Sequence, residues 1–534
     1  MTADTTTQSL TRDGVRWQVA AGHLDLFEEL VAGKTGGIFA SKDYVLKENL
    51  TRAIARVRRG EGPGLFVKKF KKRGLIGLLR LRLGKSQAHQ EWRNLLEAKR
   101  RNLPVPAPVG IGVAKDCAYL ATVEIPGARP LIEILRSEAG IQENVVEHLA
   151  ARVAAMHDAG LVHNDLHLGN ILVSPESQEY VLIDLHRARF VEEVSVPEAA
   201  ANLGQLFYSL SLVGSEEDCE HLLEEYVKTR NLAGSGLEEA SAAEARRWGM
   251  RHKRSRTGRC LRNSSGFIAE SKTGRRIFRR RDADIDPGEV LNEHRKTLAA
   301  AGPRVLKDSP KSRLTVYDRP SGGRLVVKQH KSGGTSGLLE VLTRGSRLRR
   351  EWVNANGLAV RGHKTPLPLA LVEDGPPWNR NAWLICEYLT DAQPLDEFLR
   401  DRFGGKPDSF SHKDKAQVLR ALADEIRRLH DGKIFHKDMK ANNIMVLREK
   451  EGVLFFFLDL DRVRFDRELD EAEIAAALAA LNAAVPNFIS LSDRMLFYRA
   501  YRRIKRLDEG EKRIIGSIVR RSAERNHFWR PPCQ

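Results

Sequence analysis

Five polar residue types recur in the same order twice along this chain of 534 residues. They are Lys68, Glu91, Asp165, Asn170 and Asp184, then Lys328, Glu351, Asp438, Asn443 and Asp459. Lysine to glutamate is 23 residues in both sets, and aspartate to asparagine is five in both. Transfer of a phosphoryl group from ATP needs these types together. A strand lysine neutralises nucleotide phosphates and a helix glutamate holds it. One aspartate orients the attacking hydroxyl and accepts its proton, while an asparagine and a second aspartate hold Mg²⁺. Carboxylate and amide oxygens suit a hard cation, and no His/Cys cluster with zinc spacing accompanies them. Taken singly, each residue has a bland explanation as surface charge, helix acid, turn or cap. Matched order and spacing in two sets remove that explanation. His163 and His436, two residues before Asp165 and Asp438, read as braces of the loop.

The elements that must position these residues are also written twice. With a shift of 260, Leu46-Lys47 falls on Leu306-Lys307, Val67-Lys68 on Val327-Lys328, and Gly77-Leu78-Leu79 on Gly337-Leu338-Leu339. Glu91-Trp92 with Asn94 falls on Glu351-Trp352 with Asn354. At a shift of 273, His157-Asp158 meets His430-Asp431, and H-N-D-L-H-L-G-N-I-L (163–172) meets H-K-D-M-K-A-N-N-I-M (436–445). The change of shift marks insertions in the second copy, one expected in the Gly/Lys/Asp/Ser-rich stretch Asp401 to Lys413. Two long copies indicate a domain duplication and not a solenoid.

Each copy opens with β-rich segments, the second ending L-F-V-K-K-F or L-V-V-K-Q-H. A helical stretch carrying E-W-x-N follows, then a turn with two prolines, then an apolar strand closed by Glu124 or Glu387. Those two glutamates are counted with the lysines and helix glutamates as cofactor-binding residues. Leu419, Leu422, Ile426 and Leu429 predict an amphipathic helix before the second His-x-Asp loop. A short apolar strand then ends in Asp184 or Asp459, where an unpaired carboxylate would be costly to bury. The fold expected is α+β: two tandem domains, each with a β-rich N-lobe and a helical C-lobe. Their expected limits are 12–250 and 275–534, joined by a basic bridge over 251–274.

Composition narrows the class. Apolar residues make up 42% and charged residues 30%, which excludes bulk disorder. No run of ~18 apolar residues is present to span a membrane, and Met1 to Leu10 has no hydrophobic signal core. The five cysteines lie far apart, without a disulfide or metal pattern. The net charge of +18 is uneven: residues 246–281 hold 14 Lys/Arg and one acid, Glu270. Gly64 to Lys85 holds eight Lys/Arg and no acid, interleaved with Leu and Ile. Such segments attract an anionic membrane surface, and without aromatic interleaving or a recognition motif nucleic acid is the weaker partner. Oligomeric state is not legible.

The H-x-D-x-x-x-x-N loop with its strand aspartate resembles the protein-kinase-like superfamily. Within it, the copies resemble the bacterial lipopolysaccharide core (Kdo/heptose) kinases. The shared features are V-K-x-F/H, S-x-x-x-x-E-W-x-N, the Pro-x-Pro turn and D-L-x-R-x-R-F at Asp184–Phe190 and Asp459–Phe465. The resemblance implies γ-phosphate transfer from ATP to a sugar hydroxyl of a lipid A–core glycolipid, at the cytoplasmic face of the inner membrane. There are departures from the protein kinases. No G-x-G-x-x-G precedes either lysine, leaving 47–53 and 307–313 as the nucleotide-covering turns, and no A-P-E segment follows. His167 stands two residues past Asp165 where Lys440 follows Asp438, so the two sites are expected to differ. A protein or small-molecule (aminoglycoside-type) kinase, or a tandem with one copy acting as scaffold, remain the alternatives.

Overall fold

The computed structural model describes residues 7–525 except 33, 42, 49–50, 72–73, 138–140, 273, 334–341, 343–344, 377–378, 406–408 and 451. The Gly337–Leu339 match, Cys533, and parts of the first nucleotide-covering turn, the 64–85 window and the 401–413 insertion lie outside the described residues. The chain divides into two compact units, Met1–Arg251 and His252–Gln534.

In the first unit, seven antiparallel strands form one sheet. They are β1 (Thr7–Arg12), β2 (Val15–Ala20), β3 (Val45–Glu48), β4 (Arg52–Val57), β5 (Leu65–Lys71), β6 (Pro108–Val113) and β7 (Cys117–Val123). Their order across the sheet is β1-β2-β6-β7-β5-β4-β3. Period-two alternation sends Val15, Trp17 and Val19 of β2, and Leu65 and Val67 of β5, into one core. Lys68 therefore faces the opposite side of β5, flanked by Ile54 and Leu120 on the neighbouring strands. Helix α1 (Gly74–Arg82) precedes α2 (Gln87–Arg100), which starts where the Ser86 hydroxyl accepts from the His89 amide. The apolar stripe of α2 buries Trp92, Leu95 and Ala98, and Glu91 shares that buried side. The helical part comprises α3 (Glu143–Asp158), α4 (Val196–Leu210), α5 (Glu216–Arg230) and α6 (Leu237–Gly258).

The second unit repeats this topology. Its sheet contains β8 (Phe267–Lys272), β9 (Arg275–Arg280), β10 (Val305–Asp308), β11 (Ser312–Asp318), β12 (Arg324–Gly333), β13 (Pro368–Asp374) and β14 (Asn379–Glu387). The order is β8-β9-β13-β14-β12-β11-β10. Even the irregularities recur, with register shifts at Val45/Lys47 and Val305/Lys307, and at Pro108/Gly110 and Pro368/Ala370. Helices α7 (Pro287–Ala300), α8 (Arg347–Val360), α9 (Ser409–Asp431), α10 (Glu471–Ala484), α11 (Leu491–Arg502) and α12 (Glu509–Ala523) follow in order. The expected apolar face of α9 is there: Leu419, Leu422, Ile426 and Leu429 are all buried. In each unit a histidine ties two helices together. His157 Nδ1 is 2.7 Å from the Tyr226 hydroxyl, and His430 Nδ1 is 2.8 Å from that of Tyr501.

The stretch 251–274, read from sequence as a bridge, forms the end of α6, a 3-10 turn at Arg259–Leu261 and strand β8. From His252 onward it belongs to the second unit. Part of its charge and that of β9 is paired far along the chain: Arg254 with Asp466 at 2.8 Å and Arg276 with the fully buried Glu373 at 3.0 Å. The Trp352 indole donates to the Cys260 carbonyl at 3.0 Å, fixing this segment to α8.

Candidate active site

In the first unit, Lys68 Nζ lies 2.5 Å from Glu91 Oε1 and 3.0 Å from Asp184 Oδ1. Strand β5, helix α2 and the segment after strand Tyr180–Leu182 thus meet at one ammonium. In the second unit, Lys328 lies 2.9 Å from both Glu351 oxygens and 2.5 Å from Asp459 Oδ1. Desolvation alone would lower the lysine values, but the paired carboxylates outweigh it and raise both. Burial would raise both aspartates; contact with His186, then Lys68 and Arg52, instead hold Asp184 well below the usual carboxylate range, and Lys328 and Arg347 lower Asp459.

Asp184 and Asp459 both adopt the left-handed backbone conformation, with φ of 64° and 53°. Aspartate tolerates this better than most residues. A clamp to which sequence analysis assigned no role holds the following turn. Asn94 Nδ2 donates to the carbonyls of Leu185 (2.6 Å) and Ala188 (2.7 Å). Asn354 makes the same pair to Leu460 (2.6 Å) and Val463 (3.3 Å). The motif E-W-x-N therefore carries the lysine's partner and, three residues on, the anchor of the aspartate turn. The signal available was the recurrence of that asparagine in both copies.

The His-x-Asp loops are braced as expected. His163 Nε2 donates to the Ile183 carbonyl at 3.0 Å and His436 Nε2 to that of Leu458 at 2.8 Å. Burial pushes both imidazoles below their ordinary value. Asn170 and Asn443 donate through Nδ2 to the backbone carbonyls of Asp165 and Asp438, at 2.9 and 2.8 Å. The amide oxygen of each can still act as an acceptor. With Asp184 or Asp459 it forms an oxygen-only donor set, the kind that fits Mg²⁺. Lys440 Nζ sits 2.9 Å from Asp438 Oδ1, whereas among the described residues the ion-pair partner of Asp165 is Arg187 at 3.8 Å. His167 is occupied differently, its Nδ1 accepting from the Gly169 amide at 3.1 Å.

A cavity of about 490 Å³ opens beside the second set. Leu306, Val326, Leu384, Met445 and Leu458 form its apolar walls, and Lys328, Glu351, Asn443 and Asp459 its polar end. Glu387 also lines it. Glu124, its counterpart, is buried with its carboxylate engaged by Arg56. An apolar slot ending in a lysine and hard oxygen donors suits a nucleobase with its phosphates.

A model of the lipopolysaccharide kinase (Kdo/WaaP) family matches residues 47–226 and 339–500. These segments cover more than half of the chain, and the chain belongs to that family. Lys328 falls outside the second matched segment, yet it occupies the same place in its triad as Lys68. A 3-deoxy-D-manno-octulosonic acid kinase of Vibrio parahaemolyticus is 29% identical over 150 residues, 27% of this chain and 59% of that protein. One of Vibrio cholerae is 28% identical over 102 residues, 18% of this chain and 43% of that protein. The chain thus spans about half the length of these curated relatives. Among solved structures, WaaP in complex with acyl carrier protein is similar at 18% identity and a TM-score of 0.33, over 45% of this chain and 92% of that one. A type VIII aminoglycoside-3'-phosphotransferase is similar at 21% identity and a TM-score of 0.23, over 35% and 86%. The expected α+β class is seen in both units, each a seven-stranded antiparallel sheet with helices following it.

Proposed function

We propose that this protein is an ATP-dependent kinase that phosphorylates a sugar hydroxyl, of Kdo or heptose, in the lipopolysaccharide inner core. The acceptor is a lipid A–core glycolipid, met at the cytoplasmic face of the inner membrane. The observation that carries the reading is the lysine–glutamate–aspartate triad assembled in both units from three separate elements of a lipopolysaccharide kinase family fold.

Asp165 and Asp438 orient the acceptor hydroxyl and take its proton as its oxygen bonds to the γ-phosphorus. The bond from that phosphorus to the β,γ-bridging oxygen breaks, and ADP leaves. Lys68 and Lys328, fixed by Glu91 and Glu351, neutralise the nucleotide phosphates. Glu124 and Glu387 border the nucleotide where each apolar strand ends. Asn170 with Asp184, and Asn443 with Asp459, are the residues that would hold Mg²⁺. When bound, that ion supplies charge neutralisation at the phosphates. The basic segments 64–85 and 246–281 favour an anionic membrane surface. No helix among the described residues is long and apolar enough to cross a membrane.

The test is ³²P transfer from labelled ATP into purified inner-core glycolipids ending in Kdo or in heptose. Labelling of a core sugar is expected. Absence of transfer to either, with nucleotide binding intact, would redirect the search to protein and small-molecule acceptors.

A further inference from the structure

We infer that helix α1 is a membrane-docking wedge that inserts an apolar face into an anionic lipid surface; this rests on, and deepens, the glycolipid-kinase reading. Ile76 is 72% exposed, Leu79 58% and Leu83 59%, while Leu81 is only 5% exposed. At about 100° per residue, positions 76, 79 and 83 share one stripe of the helix, and 81 lies on the other side. The helical bonding continues to Leu83, whose amide donates to the Leu79 carbonyl at 3.0 Å. The helix therefore holds to its own unit through Leu81 and presents three large apolar side chains outward. Three of the ten large apolar side chains exposed among the described residues stand on these two turns.

A solvated basic helix has no need of such a stripe, and a stripe this apolar is a liability unless something covers it. Charge identifies the cover. Arg80 and Arg82 are exposed within the helix and Lys85 follows it, and no acid occurs anywhere from Gly64 to Lys85. Apolar side chains ringed by cations, with no compensating carboxylate, match acyl chains beneath phosphate headgroups. The proposed acceptor is itself an anionic amphiphile, so a wedge of this kind would hold the enzyme in the plane where that acceptor lies.

The experiment is co-sedimentation of the full chain with vesicles of phosphatidylethanolamine and phosphatidylglycerol, against pure phosphatidylcholine. Phosphotransfer to a deacylated, water-soluble core oligosaccharide is measured in parallel. Binding to the anionic vesicles is expected, falling as salt rises. The triple variant Ile76→Ser, Leu79→Ser, Leu83→Ser should bind at least ~10-fold more weakly. Arg80→Gln with Arg82→Gln should remove most of the preference for anionic lipid, and transfer to the soluble acceptor should be unchanged in both. Leu79→Trp, which suits the headgroup region, should bind more tightly. Equal vesicle binding by the wild type and the triple variant, or no preference for anionic vesicles, would overturn the inference. Vesicle binding that responds to these variants without any sugar phosphorylation would leave the wedge standing and remove the kinase reading instead.

Discussion

The two units share a lysine–glutamate–aspartate triad but recruit its extra cation from opposite directions. In the first, Arg52 at the start of β4 reaches Asp184, its NH1 lying 2.9 and 3.0 Å from the two carboxylate oxygens. The matching position in β11 is Ser312. In the second unit the cation comes from helix α8: Arg347 lies 3.6 Å from Asp459 and 3.2 Å from Asp461, and Arg350 is 3.7 Å from Asp461. The corresponding positions of the first unit are Gln87, Gln90 and His186. One unit thus ties its aspartate to the sheet; the other ties its aspartate turn to the helix that carries the glutamate. The common lysine triad is what the proposed phosphoryl transfer requires. The second cation is a local solution to burying a carboxylate, and each copy has found its own.

Removing a shared part should hurt both units, and removing a private part only one. Lys68→Met and Lys328→Met are expected to lower kcat of their own unit by ~10²–10³-fold, as loss of a fixed phosphate cation does. Single-turnover assays with the other unit silenced would measure it; an unaffected unit would break the equivalence of the triads.

The helix ties are also shared and should titrate alike. Burial pushes both His157 and His430 down to about 4 from an ordinary 6.5. The unfolded chain therefore takes up protons first as pH falls. Stability should be full above pH 6.5 and drain away between 6.5 and about 4, by roughly 3 kcal/mol per histidine at the acid end. Melting curves against pH should show this loss, and His157→Gln or His430→Gln should each flatten its own share.

Asn94→Ala and Asn354→Ala leave two turn carbonyls without their donor, and each should cost ~1–3 kcal/mol by denaturant unfolding. The smallest effects should be the private ones. Arg52→Ser should change KM for ATP about tenfold in the first unit alone, and Arg347→Gln by a similar factor in the second alone. A response of both units to either variant would contradict the division drawn above.

Much of this was legible in the sequence because duplication turns weak local signals into a pattern. Lysine and glutamate 23 residues apart come together as an ion pair in both copies, and the α9 leucines form a buried face. What escaped has a physical reason. Arg52 has no counterpart in the second copy, so the repeat hides it. The Arg347–Asp461 contact joins residues 114 apart and is specified by tertiary packing, not by any local pattern. The clamp by Asn94 was visible only as a letter in a motif. Part of the charge at 246–281 is paired with acids that no local pattern shows, Arg276 with Glu373 and Arg254 with Asp466.

The most direct test of two working sites is ³²P transfer into core glycolipid by the wild type, Asp165→Ala, Asp438→Ala and the double variant, with the phosphorylated positions mapped. Each single variant should lose part of the incorporation and the double variant all of it. Full incorporation by either single variant would contradict the account and leave that unit without a catalytic part.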